Sequence, residues 1–336
     1  MVWDPKNKTG LDLEERMKIM TLDDIKREIE DAKTILIETH ETPDGDAIGS
    51  SLAMYKALKS IGKDVDLVIP THPKTYDFLP GADEIKTEGR DIKYDLGIAL
   101  DCADTKRLKG YEPYFENAKT TINIDHHGSN KMFADYNYVD PVSPACAQTL
   151  IIVLKKLGIE IDKEIGTCIL AGIITDTGGF KYEGVTTETF EFVAALLRIG
   201  VNVSETYKRV LQVKTKPNFL LTQKIMDRIE FLEDGKITFT YITKQDEKEV
   251  NAEEGDHEGL VEFGRDVEGV EVSIFLRELD TGAYKASLRS KNYVNVSDVC
   301  IIFGGGGHEH AAGCTMDMEL EEAREKIVNL VKQYLR

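Results

Sequence analysis

The stretch TILIETHETPDGDAIGSSLAMYKALKSIG, residues 34–62, carries the reading of the fold. It opens on an apolar run, TILIETH, with the length and branched side chains of a buried strand. A polar turn with proline and glycine follows. The period then becomes helical, with Ile48, Leu52, Tyr55 and Leu58 on one face and Gly62 just past the end. The alternation continues outward from this unit. VDLVIP (65–70), DLGIALD (95–101) and TTINID (120–125) are further short apolar runs. Ser143-Pro144 reads as a helix start, a capping hydroxyl before proline in the first turn, and Leu150, Ile151, Leu154 and Leu157 follow at helical spacing. Strands alternating with helices predict an α/β domain built on a mostly parallel sheet covered on both faces.

Near residue 200 the pattern changes. KPNFLLTQKIMDRIEFLEDG (216–235) places Leu221, Ile225, Ile229 and Leu232 at helical spacing, which predicts a connecting helix. After Gly235 the period is two, in Ile237, Phe239 and Tyr241, in Val272, Ile274 and Leu276, and in Tyr284, Ala286 and Leu288 after a turn at Asp280-Thr281-Gly282. LEEAREKIVNLVKQYL (320–335) predicts a closing helix. The expected organisation is a catalytic domain over 21–205, a helical linker over 206–234 and a smaller α+β domain over 235–336.

The 336 residues suffice for about two domains. The net charge of −18 argues against a protein that tracks along nucleic acid, which needs a basic surface to neutralise phosphates. A phosphate-bearing substrate should be short and held in one locally positive pocket. Five cysteines without C-x-x-C spacing make a disulfide framework or a zinc ribbon unexpected. The first 20 residues lack the basic-then-apolar pattern of a signal peptide, and no apolar run has membrane-spanning length. A soluble cytoplasmic protein is expected, without membrane partners.

Four apolar segments of the first domain end in groups able to bind a metal. TILIETH ends at His40 and runs into Asp44 and Asp46; DLGIAL ends at Asp101; TTINI ends at Asp125, His126 and His127; TCILAGIIT ends at Asp176. In an open parallel sheet the carboxyl ends of the strands share one edge, where ligands bind. One such ending is an ordinary turn or cap, but four point to one centre. Carboxylates and imidazoles without thiolates suit Mn²⁺, Mg²⁺ or Zn²⁺. The carboxylates exceed the needs of one ion. Two ions about 3.5–4 Å apart, bridged by a carboxylate, would use them all and activate a water. Asp44, Asp46, Asp101 and Asp176 would balance two divalent charges, so an incoming phosphate needs further donors, of which His127 is one candidate. ASLRSK (286–291), with Arg289 and Ser290, supplies others. FGGGGHEHAAG (303–313), with Gly306 and Gly307 before His308, reads as a phosphate cradle opening a helix.

HETPDGDAIGS, ALDCADTKRL, NIDHHGSN and GIITDTGGF resemble, in order, the four N-terminal motifs of the DHH phosphoesterases, and SLRSK with FGGGGHEHAAG resembles their DHH-associated C-terminal domain. The resemblance implies that His40, Asp44 and Asp101 hold one ion and that Asp46, Asp101, His126 and Asp176 hold the other, with Asp101 bridging. It implies two Mn²⁺ ions, with Mg²⁺ or Co²⁺ as substitutes. Asp125 would orient the ligands, and His127 would contact the phosphate or protonate the leaving oxygen. Arg289, Ser290, Gly306, Gly307 and His308 would bind substrate. Length and domain order are similar to the branch that degrades short oligoribonucleotides and dephosphorylates 3′-phosphoadenosine 5′-phosphate (pAp). Hydrolysis of a linear or cyclic dinucleotide, and of pyrophosphate or polyphosphate, are the alternatives. The expected partners are a short RNA or small nucleotide, with no long nucleic acid; the chain is compatible with a homodimer. His72 and His257 read as surface residues.

Overall fold

The computed structural model describes residues 22–182, 184–253 and 255–336. The leader-free reading of residues 1–20 lies outside the described residues. The chain separates into two compact units that meet in sequence between Val213 and Lys214.

The first unit contains α1 (Leu22–Asp31), β1 (Thr34–Glu38), α2 (Gly45–Ser60), β2 (Asp64–Val68), β3 (Leu96–Leu100), α3 (Glu112–Glu116), β4 (Thr120–Asp125), β5 (Tyr136–Val139), α4 (Cys146–Leu157), α5 (Lys163–Asp176), α6 (Thr187–Arg198) and α7 (Val203–Tyr207). All strands pair in parallel in the order β2-β1-β3-β4-β5. From β1 the chain steps to one side, to β2, and then returns to the other side as β3. The strand order therefore reverses between β1 and β3, and the crevice at their carboxyl ends is where such sheets bind ligands. β1 and β3 lie in the middle of the sheet, so their apolar runs are buried.

Helix α2 begins because Asp44, in extended conformation, accepts the Asp46 and Ala47 N–H groups on its side chain. Ile48, Leu52 and Leu58 are fully buried, each contributing about 1.5–3 kcal/mol. Helix α5 lies against α2 so closely that a Cβ at Gly49 would stand 2.6 Å from the Cys168 carbonyl and 2.9 Å from the Gly172 nitrogen. Glycine at 49 and 172 is what lets these two helices meet. Two sequence expectations change here. The apolar run 167–175 is helical, so Asp176 ends a helix rather than a strand. Helix α4 starts at Cys146, and the Ser143 hydroxyl does not cap it but donates to the Ala145 carbonyl at 2.9 Å. Its first amides are satisfied elsewhere, by a carboxylate described below.

The second unit contains α8 (Lys216–Arg228), β6 (Glu230–Leu232), β7 (Ile237–Ile242), α9 (Lys244–Val250), α10 (Leu260–Arg265), β8 (Val272–Glu278), β9 (Tyr284–Ser290), α11 (Val296–Ile302), β10 (Gly306–His308), β11 (Ala311–Met316) and α12 (Leu320–Lys332). Its mixed sheet runs β10-β11-β9-β8-β7-β6, and the single parallel pair is β7 with β8. Ile237, Phe239, Ile274, Leu276, Ala286 and Leu288 point to one face, where Ile327 and Val331 of α12 complete a core. Leu221 and Ile225 of α8 pack with Ile242, Leu260 and Phe275 on the other face. Helix α8 stops at Arg228, because Ile229 turns extended and residues 230–232 pair with β7. Ile229 and Leu232 thus leave the helical pattern.

The glycine run does not open a helix. Gly306, Gly307 and His308 pair with Gly313, Ala312 and Ala311 as a tight antiparallel hairpin. A Cβ at Gly307 would meet the Ala311 carbonyl at 2.4 Å, and its φ of 149° falls where side chains are strained. His257 is not a free surface group: its Nε2 lies 2.8 Å from Glu247 Oε1, and Arg277 Nη1 lies 3.2 Å from its Nδ1.

Candidate metal centre

The carboxyl edge of the first sheet gathers the predicted side chains. His40 lies just beyond β1, Asp101 just beyond β3, and Asp125 closes β4. The Thr39 hydroxyl donates to the Leu100 carbonyl at 2.8 Å, which ties the end of β1 to that of β3 and sets His40 beside Asp101. His40 Nε2 stands 3.7 Å from Asp101 Oδ2. Asp101 has a φ of 52°, a left-handed conformation that a non-glycine residue adopts at a cost of about 1–3 kcal/mol. Its amide donates to the Ile124 carbonyl at 3.1 Å, so the strained turn is held by β4.

His126 is the hub. Its Nε2 is 3.1 Å from Asp176 Oδ2, 3.5 Å from Asp101 Oδ1 and 3.9 Å from Asp46 Oδ2. Its Nδ1 is 3.1 Å from the Ser143 carbonyl, an acceptor that requires the proton on Nδ1 and turns Nε2, the nitrogen that could ligate a metal, toward the carboxylates. Two groups of potential ligands result, His40 with Asp44 and Asp101, and Asp46 with His126 and Asp176, each with donor atoms mutually within 4.8 Å. His126 sits close to Asp101 and so connects them. Asp44 spends one oxygen on the α2 cap, at 3.0 and 3.1 Å from two amides, and keeps the other.

Asp46 is held from across the sequence. The Cys146 N–H donates to its Oδ2 at 2.5 Å and the Ala147 N–H to its Oδ1 at 2.9 Å. These are amides of the first turn of α4, where the helix dipole also favours a carboxylate. Gly172 of α5 makes room for it, since a Cβ there would lie 2.5 Å from Asp46 Oδ1.

Burial pushes the Asp46 carboxyl well above the usual range, and the neighbouring Asp176 and Asp101 push it further. Burial likewise raises Asp176, to about 6. Burial would raise Asp101 too, but the His126 and His40 imidazoles outweigh it and hold this carboxyl well below its ordinary value. Burial opposes the His126 imidazolium, yet Asp101 and Asp176 raise its pKa well above the usual value. The only ion pairs of Asp46, Asp101 and Asp176 among the described residues are with histidines, and the buried Asp101 Oδ1 accepts no hydrogen bond. A concentration of buried carboxylates without lysine or arginine, with one oxygen unsatisfied, fits hard divalent cations.

Asp125 stands behind this group. Its Oδ1 lies 2.7 Å from His127 Nδ1 and accepts the His126 N–H at 2.8 Å. Burial opposes protonation of His127, but Asp125 raises its pKa above the ordinary value. Sequence reasoning missed the residue that fixes Asp125. The Asn130 amide donates to Asp125 Oδ2 at 2.6 Å and to Asn123 Oδ1 at 2.7 Å, and Asn123 in turn donates to the Ala99 and Cys102 carbonyls at 3.2 and 3.1 Å. Its signal was the SN that ends NIDHHGSN.

In the second unit, Arg289 and His308 are both register partners of Ala311, so the three lie in one cross-strand row. Ser290, next along β9, faces the opposite way. It is buried, and its hydroxyl lies 2.8 Å from His310 Nδ1. Arg289, expected to face substrate, also engages Glu262: its Nε donates to Glu262 Oε1 at 2.9 Å. Nothing in the sequence pairs these two residues.

Comparison with known proteins agrees with the two units. The description "DHH family, N-terminal domain" matches residues 34–173, and "DHHA1 domain" matches residues 234–336. The bifunctional oligoribonuclease and PAP phosphatase NrnA of Thermus thermophilus is 36% identical over 303 residues, 90% of this chain and 90% of that protein. The crystal structure of an exopolyphosphatase-related protein from Bacteroides fragilis superposes with a TM-score of 0.86 at 28% identity, covering 93% of this chain and 96% of the other. RecJ from Thermus thermophilus in complex with Mn²⁺ shares the fold, with a TM-score of 0.57 at 14% identity, over 93% of this chain and 54% of that one. With its four N-terminal motifs at one sheet edge and its glycine-histidine hairpin in a second unit, this chain belongs to the DHH family.

Proposed function

We propose that the protein is a divalent-metal-dependent phosphoesterase that hydrolyses short oligoribonucleotides and pAp, with two Mn²⁺ ions as its working cofactor. The observation that carries this reading is the convergence of His40, Asp44, Asp46, Asp101, His126 and Asp176 on one sheet edge, in two donor groups that meet at Asp101 and His126. The name of the relative that is 36% identical over 90% of both chains supports the substrate class. His40, Asp44 and Asp101 would hold one ion; Asp46, Asp101, His126 and Asp176 would hold the other, with Asp101 shared. The chemistry that such ions supply is Lewis acidity toward phosphoryl oxygens and a water acidic enough to deprotonate near neutral pH.

The chain's own groups do the rest. The Ser143 carbonyl keeps the His126 proton on Nδ1, away from the donor cluster. Asp125 holds His127 by Nδ1 and favours its protonated form, so His127 can donate a proton to the departing alkoxide. Arg289 and His308, in one row of the second sheet, would take a substrate phosphate, with Gly306 and Gly307 allowing close backbone approach.

A single panel tests the reading. Di- to pentaribonucleotides, pAp, pApA, cyclic di-AMP, pyrophosphate and polyphosphate are ranked by kcat/KM with Mn²⁺. Short RNAs and pAp should lead, and Asp101→Ala should abolish their turnover together with retention of both ions by metal analysis. A ranking led by pyrophosphate or polyphosphate would assign a different substrate class.

A further inference from the structure

We propose that Glu262 is a positioning residue: it pins the Arg289 guanidinium so that its outer edge is ready for a substrate phosphate. This rests on the reading that Arg289 grips phosphate, and it adds a residue that no sequence motif marks.

Arg289 lies on β9 between Ser273 of β8 and Ala311 of β11. Helix α10 presses onto the same sheet face. A Cβ at its Gly264 would meet Thr238 Oγ1 at 2.3 Å and Ser273 Oγ at 2.5 Å, so only glycine allows this approach. The close approach delivers Glu262, in the first turn of α10, to Arg289. Nε donates to Glu262 Oε1 at 2.9 Å, and Nη1 donates to the Leu288 carbonyl at 3.1 Å. Both side chains are about three-quarters buried, at 27% and 23% exposure.

A guanidinium has five N–H donors in a plane. Among the described residues two are used, one on Nε and one on Nη1. Contacts at two different nitrogens restrain the plane against rotation about the last side-chain torsions. Three donors remain, one on Nη1 and two on Nη2, and they form the fork that matches two phosphate oxygens. An unpinned arginine would have to lose this freedom at each binding event, at a penalty typical of one long side chain immobilised at an interface.

The test is steady-state kinetics with pAp and a triribonucleotide under Mn²⁺, on Glu262→Ala, Glu262→Asp, Glu262→Gln and Arg289→Ala. Glu262→Ala and Glu262→Asp both break the 2.9 Å contact, and each should raise KM about threefold to tenfold with kcat within twofold, since the contact serves ground and transition states alike. Glu262→Gln keeps an oxygen acceptor for Nε, and its KM should stay within twofold of the parent. Retained charge in the aspartate variant separates geometry from electrostatics: a normal KM there, or a KM for glutamine as high as for alanine, overturns the inference. In an Arg289→Ala background the alanine change should add nothing. If Arg289→Ala raises KM and Glu262→Ala does not, the positioning role fails and the proposed function stands. If Arg289→Ala leaves KM unchanged, both the phosphate grip and its positioning residue fall. Thermal melting of each variant identifies any KM change that merely follows partial unfolding.

Discussion

Gly172→Ala asks whether the packing of α5 on α2 sets the metal centre. In an ordinary helix interior this change stabilises by about 1 kcal/mol, because alanine is the better helix former. Here the new methyl would lie 2.5 Å from Asp46 Oδ1, 2.7 Å from Ala147 Cβ and 3.3 Å from Asp46 Cα. The carboxylate oxygen is about 0.9 Å short of ordinary contact at 3.4 Å. It cannot retreat without stretching its bonds from the Cys146 and Ala147 amides, at 2.5 and 2.9 Å. Each such bond contributes about 0.5–1.5 kcal/mol, rising to about 1.5–3 kcal/mol when the carboxyl is ionised, and overpacking adds about 1–3 kcal/mol. Allowing for relaxation and for the helix gain, the net loss should be about 3 kcal/mol. That lowers the melting temperature of a unit this size by roughly 6–12 °C. A displaced Asp46 should also weaken Mn²⁺ binding about 10- to 100-fold, the usual effect of disturbing groups that orient metal ligands. Calorimetric melting of metal-free protein and Mn²⁺ titration read the two effects separately. A melting temperature at or above that of the parent, with unchanged Mn²⁺ affinity, would refute the claim that Gly172 exists to seat Asp46.

Three further outcomes are expected. Asp176 is raised to about 6, and His126 is raised as well; the folded state therefore binds more protons than the unfolded one as pH climbs from about 4 to above 7, and metal-free protein should lose stability over that range. Saturating Mn²⁺ should flatten the melting profile, and a metal-free profile that rises from pH 5 to pH 8 would contradict the carboxylate cluster. Asn130→Ala frees Asp125 Oδ2, so kcat should fall about tenfold or more while bound metal stays near stoichiometric; equal loss of both would instead make Asn130 part of the ligand support. In the second unit, Asp246 takes Arg228 at 2.5 and 2.9 Å and the Thr243 amide at 2.8 Å, and despite its burial these partners hold its carboxyl well below the usual range. Its stabilisation is complete above about pH 4 and declines progressively below that, so Asp246→Ala should cost about 2–4 kcal/mol at neutral pH by denaturant titration and distinctly less, though not zero, at pH 2.

The sequence alone was enough for the β-α alternation, for strands ending in His40, Asp101 and Asp125, and for the family. The reason is that these are local signals: a strand or helix shows its period in its own residues, and a strand end marks the sheet edge on which its last side chain falls. Tertiary structure decided how those residues are held. Asp46 takes its hydrogen bonds from amides a hundred residues away, and Gly172 of α5 leaves the room in which they meet. Asp176 ends a helix although its run reads equally as a buried strand, because short apolar runs carry no period that separates the two. Arg289 meets Glu262, and Ser290 turns to His310, because register and helix placement choose partners that chain order does not list. Hydrogen bonds and charges act across a few ångströms of space, so their pairing is written in the packing and only indirectly in the order of residues.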